Sequence, residues 1–169
     1  MTKQWPYFLL AFLLPLLAVF WWWGAFAAPE IKISPRKMVH YAYLVSAGDY
    51  SKVEERQREV RDLLKQQAIA AGQSLTLIEN DPRTTPAARR KAQAGVVISG
   101  DAQPKVPLLE GTLPERDALV VSARGHPFFV YGKAYGALLD YLKQHGMALR
   151  LPVAETTRDN TLTIEMALK

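Results

Sequence analysis

The side chains with chemistry to offer are a scattered set of acids, tyrosines and histidines, and their spacing narrows what they can do. Cysteine is absent, which excludes thiolate catalysis, disulfides and Cys-based zinc or iron–sulfur centres. His40, His126 and His145 stand far apart, with neither H-x-x-x-H nor H-E-x-x-H spacing, so no zinc site is expected. No Gly-rich phosphate loop occurs, and no Ser-His-Asp arrangement can be argued from the order of residues. Arg89-Arg90-Lys91 is a short basic run in a chain of net charge +5, a pattern that raises nucleic acid or anionic lipid. No aromatic residues interleave with it, so it reads as a wet helix face, and no nucleic-acid partner is expected. Glu165 alternates out of phase with Ile164, Met166 and Leu168 and so points away from the helix-packed side of its strand. Tyr41 and Tyr43 share a strand face, Tyr50 closes a Gly48-Asp49-Tyr50 corner, and Phe128, Phe129 and Tyr131 cluster at a helix start. Such aromatics can wall an apolar groove and stack on a flat ligand. They can equally pack a sheet onto its helices.

The positioning elements divide at the N-terminus. Residues 5–28 carry no charged side chain and hold all four tryptophans. A helix crosses the hydrocarbon core with about 20 apolar residues, and Trp5 and Trp21-Trp22-Trp23 bracket the run where amphipathic rings settle at an interface. The reading is an anchor over 1–28 with the lipid bilayer as partner through residues 5–28. The rival is a signal segment, cleaved at Ala25-Phe26-Ala27. Lys3 on one side and Lys32, Arg36 and Lys37 on the other leave the orientation close to a tie, tipped toward a cytoplasmic C-terminal domain.

Beyond a linker over 29–37, residues 38–169 suit one domain of ordinary size. Met38–Ser46 alternates as a strand. Ser51-Lys52-Val53-Glu54 matches a capping box, opening a helix whose apolar positions include Val53, Val60, Leu63 and Leu64, with Gly72 as its stop. Ser74–Glu79 and Ala94–Ser99 are strands, with a short helical turn after Thr85-Pro86. The second half repeats this order: a strand over Ala118–Ala123, a break at Gly125-His126-Pro127, a helix over Val130–Gln144 ended by Gly146, then strands over Ala148–Val153 and Thr161–Leu168. The two β-α-β-β units are joined by a Pro/Gly-rich loop over Gly100–Asp117. Pairing them gives an α+β fold: one antiparallel sheet with two helices on one face, preceded by a single transmembrane helix.

Four blocks in this order resemble the GyrI-like family, the duplicated domain found in multidrug-sensing regulators and related to SOUL haem-binding proteins. They are Tyr43-Leu44-Val45-Ser46-Ala47-Gly48-Asp49-Tyr50; Asn80-Asp81-Pro82-Arg83-Thr84-Thr85-Pro86 with Arg89, Arg90 and Ala94-Gly95-Val96-Val97; Gly125-His126-Pro127-Phe128 with Lys133-Ala134-Tyr135 and Gly146; and Ile164-Glu165-Met166-Ala167-Leu168. The match spans residues 38–168, without the DNA-binding segment of the regulators.

The resemblance implies a ligand groove between the halves with Glu165 as its acid, drawing a cationic or hydroxyl-bearing ligand, and with Tyr41, Tyr43, Tyr50, Phe128 and Tyr131 as its aromatic walls. It implies no bound cofactor; His126 would serve as a haem ligand only if the SOUL kinship were the relevant one. The expected function is a membrane-anchored module binding an amphipathic small molecule. The alternatives are an adaptor presenting the domain to a protein partner, and a hydrolase using Glu165 as general acid/base.

Overall fold

A computed structural model describes residues 5–23 and 27–168. One eight-stranded sheet, antiparallel at every pairing, organises the chain. Its strands are β1 (Glu30–Arg36), β2 (Val39–Ala47), β3 (Ser74–Ile78), β4 (Lys91–Val97), β5 (Leu109–Leu113), β6 (Arg116–Arg124), β7 (Val153–Arg158) and β8 (Thr161–Ala167), and its helices are α1 (Trp5–Trp22), α2 (Val53–Gln66) and α3 (Pro127–Gln144). The spatial order is β1-β6-β8-β7-β3-β4-β2-β5. The units β2-α2-β3-β4 and β6-α3-β7-β8 therefore meet at the central β7–β3 ladder, and β1 and β5 extend the sheet at its two ends.

Both α2 and α3 lie on one face. Ile78 pairs with Val153 across the central ladder; Ile78 packs with Val53 of α2, and Val153 with Val130, Ala134, Leu138 and Leu142 of α3. Around α2 the core is Val60 and Leu64 against Ala42 and Val96; around α3 it is Leu119, Val121, Leu162, Ile164 and Met166. The opposite face has its own cluster, in which Tyr41 packs with Leu75, Leu77 and Ala154, flanked by Tyr43, Val97 and Leu113.

Several expectations are corrected. Among the described residues no helix is long and apolar enough to cross a membrane. The 18 residues of α1 extend about 27 Å at 1.5 Å per residue, short of a hydrocarbon core of about 30 Å, and Pro15 interrupts the hydrogen bonding within it. The expected transmembrane helix is therefore not seen among the described residues, and the bilayer contact expected through 5–28 is left without support. Ala25 and Phe26 of the alternative cleavage site lie outside the described residues.

The stretch 29–37, expected as a linker, carries β1, which pairs with β6 from Glu30↔Ser122 to Arg36↔Arg116. The expected loop over Gly100–Asp117 contains β5. The capping side chain is Asp49, which accepts from the Ser51 amide at 2.9 Å ahead of a short 3-10 turn, rather than Ser51. Helix α2 stops at Gln66, with Ala68 at φ 54. Gly72 serves another purpose: its amide bonds the Val97 carbonyl at 2.8 Å, and a Cβ there would sit 2.8 Å from that oxygen. The strand expected over Ala148–Val153 begins only at Val153, because Asp159 and Asn160, at φ 48 and 59, form the hairpin turn that sets its end. Two consecutive left-handed residues are the signature of a two-residue hairpin loop.

Tyr41 makes the sharpest demand on sequence. It is 4% exposed, its hydroxyl donates to Gln93 Oε1 at 2.7 Å, and its ring crosses Gly111, where a Cβ would fall 2.3 Å from the ring. Gly111→Ala is expected to destabilise the domain by about 1–3 kcal/mol through overpacking. Chemical denaturation that shows no loss would mean that the edge strand moves aside freely.

Candidate functional site

Helices α2 and α3 stand apart. Helix α3 lies over β6 and β8, and α2 over β4 and β2. Their axes are thus four strand spacings apart, about 19 Å at 4.8 Å per strand, where packed helices approach to about 8–10 Å. The interval is a groove of about 710 Å³, floored by β3 and β7.

That floor is polar where the flanking cores are aliphatic. Ser74, Thr76, Glu155 and Thr157 line it, and Thr76 and Glu155 are direct cross-strand partners. Helix α2 contributes Gln57, which donates to the Thr76 hydroxyl at 2.9 Å. Helix α3 contributes Tyr131 and Tyr135, four residues apart and so stacked along one helical stripe. Tyr50 stands at one end, its hydroxyl donating to the Asn80 carbonyl at 2.8 Å. Arg90 lies over the Tyr50 ring at 5.8 Å and donates to the carbonyls of Thr85 and Pro82, clamping that loop against the groove end.

Glu155 is the electrostatic centre. It is 9% exposed, and its carboxyl accepts a hydrogen bond from the Tyr135 hydroxyl. Burial pushes its pKa up from 4.5 to about 7, opposed by the Tyr135 bond. Burial, followed by the Glu155 charge, raises the Tyr135 phenol. The Tyr131 phenol is raised by the same two causes in the same order. The arrangement is a carboxyl poised to ionise near neutrality under an aromatic wall, which suits a cation entering the groove and equally suits proton transfer.

Of the residues singled out from sequence, Tyr50 and Tyr131 line this groove. Tyr41 and Tyr43 lie together on the other sheet face, rings 5.5 Å apart. Glu165 also lies on that far face, buried and ion-paired with Arg36 and with Arg116, the latter at 2.8 Å. Its alternation out of phase with Ile164 does point it away from the helices, and the groove is on the helix side. Phe128 is 79% exposed and meets Phe129 edge-on at 4.9 Å. His126 caps α3 and stacks on Trp23 at 4.7 Å. Among the described residues no cluster of His, Cys, Asp or Glu could hold a metal. Sequence reading missed Glu155 because β7 was expected five residues too early, leaving 154–160 as a loop; the Asp159-Asn160 pair between two β-rich runs was the available signal.

No known family profile and no curated protein matches this chain. Solved structures do. The EcmrR–DNA complex superposes with a TM-score of 0.67 at 10% identity, over 94% of this chain and 64% of that one; this chain thus spans less than two thirds of that protein. The EcmrR C-terminal domain gives 0.64 at 13% identity, over 82% and 96% of the two chains. SAV2435 bound to tetraphenylphosphonium gives 0.54 at 15% identity, over 83% and 94%. At these identities the likeness is one of fold alone.

Glu155 makes stability depend on pH. In the unfolded chain it loses its proton near 4.5, in the folded chain near 7, so the unfolded state binds fewer protons across that window. Stability should fall by about 3 kcal/mol as pH rises from about 4.5 to 7 and level off above. Glu155→Gln is expected to remove this slope and leave the protein more stable than the parent above pH 7. Urea titrations at pH 5 and 8 measure it; parallel slopes in both proteins would refute the assignment.

Proposed function

We propose that the domain binds an amphipathic small molecule carrying a positive charge, held between α2 and α3 with ionised Glu155 as its counter-charge. The observation that carries this reading is a buried carboxyl, lacking any cationic partner among the described ion pairs, at the floor of an open groove. A cation arriving there supplies the charge that the protein withholds, in surroundings where little water competes. Tyr131 and Tyr135 on one wall and Tyr50 at the end offer ring faces to an aromatic or quaternary cation, while Val53, Ile78 and Val130 supply apolar contact. The shared fold with a domain seen bound to tetraphenylphosphonium supports the same class of ligand. The likeness to EcmrR in its DNA complex leaves room for a regulatory use of the binding event.

Glu155 beside Tyr135 favours a second reading, in which the same carboxyl serves as general acid/base for hydrolysis of a bound electrophile. Sustained turnover of a bound compound, lost in Glu155→Gln, would distinguish it from binding alone.

Calorimetric titration of the full chain with tetraphenylphosphonium tests the binding reading. Affinity should rise as pH increases from 6 to 8, because below about 7 the ligand must first displace the Glu155 proton. Binding at pH 6 should release close to one proton, visible as a heat that varies with the ionisation enthalpy of the buffer. Glu155→Gln should weaken binding at pH 8 by at least about tenfold, the scale of one desolvated charge contact. Unchanged affinity in this variant would overturn the assignment of Glu155.

A further inference from the structure

The groove is electrically polarised along its length. The inner stripe of α2 presents Glu54, Gln57, Arg58 and Arg61 to it, positions that share one helix face at i, i+3, i+4 and i+7. Arg61 is held in place by two neutral acceptors, the Gly72 carbonyl at 3.1 Å and the Ser74 hydroxyl at 2.8 Å. Those bonds orient the guanidinium without neutralising it. Among the described residues no carboxylate lies within ion-pair distance of Arg61 or of Arg58, although Glu54 stands one turn before Arg58. Two cationic side chains thus border a groove whose floor carries one unneutralised acid.

The displacement of the two charges along the groove can be gauged from both elements. Glu155 lies opposite Thr76, the residue bonded by Gln57, whereas Arg61 is bonded to Ser74. Two residues along β3 are about 7 Å, and the four residues from Gln57 to Arg61 rise about 6 Å along α2. The two rulers agree: the positive end lies about one helical turn from the acid, displaced toward Arg61.

We infer that the ligand of this groove is a zwitterionic amphiphile, with its cationic centre over Glu155 and a carboxylate or similar oxyanion about 6–7 Å further along the groove against Arg61 and Arg58. The inference rests on the groove-binding reading and narrows it. A purely cationic ligand satisfies Glu155 but brings its charge toward two arginines that no carboxylate among the described residues pairs. A zwitterion of this span meets both charges, and a planar oxyanion matches the donor fork of a guanidinium that is already positioned.

The test compares (4-carboxybutyl)triphenylphosphonium with its methyl ester, titrated into the full chain at pH 8. The acid is expected to bind at least about tenfold more tightly than the ester, the scale of one charge-assisted contact, and the difference should shrink with added salt. Arg61→Gln should bring the acid down to the affinity of the ester. Arg58→Gln, on an exposed helix position that bears on no core contact, should narrow the gap without disturbing folding. Glu155→Gln should weaken both probes alike. Equal affinity of acid and ester, with dependence on Glu155 retained, would overturn the zwitterion inference and leave the groove-binding reading standing. Absence of binding by both probes, or indifference of both to Glu155→Gln, would overturn the two together.

Discussion

A sheet six strands wide between its two extensions cannot be covered by two helices, and the rest of the structure follows from that mismatch of dimensions. Each helix settles over the outer two strands of its own β-α-β-β unit, because that is where its apolar stripe finds Val96 and Ala42, or Leu119 and Ile164. The two innermost strands, one from each unit, meet the helices only through Ile78 and Val153 among the buried core residues described, and the rest of their helix-side face is left between them. A gap of this origin needs no special loop or cofactor to hold it open. It is maintained by two aliphatic cores that anchor the helices on either side, and closing it would mean pulling Val60 and Leu64, or Leu138 and Leu142, out of them.

The ladder between the helices presents hydroxyl and carboxyl groups to the groove, and the contrast between two acids shows what this does. Glu165 and Glu155 are both nearly inaccessible, on adjacent strands of one sheet. Glu165 faces away from the helices and is met by Arg36 and Arg116, so its charge is compensated within the fold. Glu155 faces the groove and, among the described residues, is met only by a neutral phenol. Burial without a counter-ion is unfavourable to the folded state, and strain of this kind concentrates at sites where a ligand relieves it. The polarity of the groove has the same source. Arg61 is oriented by a carbonyl and a hydroxyl, groups that fix its direction and leave its charge for something else to meet.

The ends of the groove are set by local chemistry. Arg90 reads in the sequence as part of a basic run, yet its guanidinium spans two carbonyls of the 82–86 loop and the ring of Tyr50. Asn80 joins in by accepting from Tyr50 through its carbonyl and from the Lys91 amide through its side chain. The basic residue thus works as a clamp that holds one aromatic of the site in position.

Residue pattern alone determined the repeated order of strand, helix and two strands, since apolar periodicities of two and of 3.6 are local properties of a chain. It also pointed to Gly146 as a helix stop, to Tyr50 at a corner and to Tyr131 near a helix start. Strand ends were less legible: a shift of five residues hid Glu155 in an expected loop, and the charged residues of 30–36 concealed an edge strand that draws its partner from residues 116–122. Alternation showed that Glu165 faces away from the helices, but it carries no information about which side of a sheet holds the cavity. That depended on how far apart two helices come to rest, which is a distance between elements remote in sequence. The pairing of Arg36 and Arg116 with one acid, and the lack of any such partner for the other among the described residues, arise from the same long-range arrangement. Local physics assigns the elements and their faces; only their assembly decides which buried acid is met by arginines and which, among the described residues, has no counter-ion.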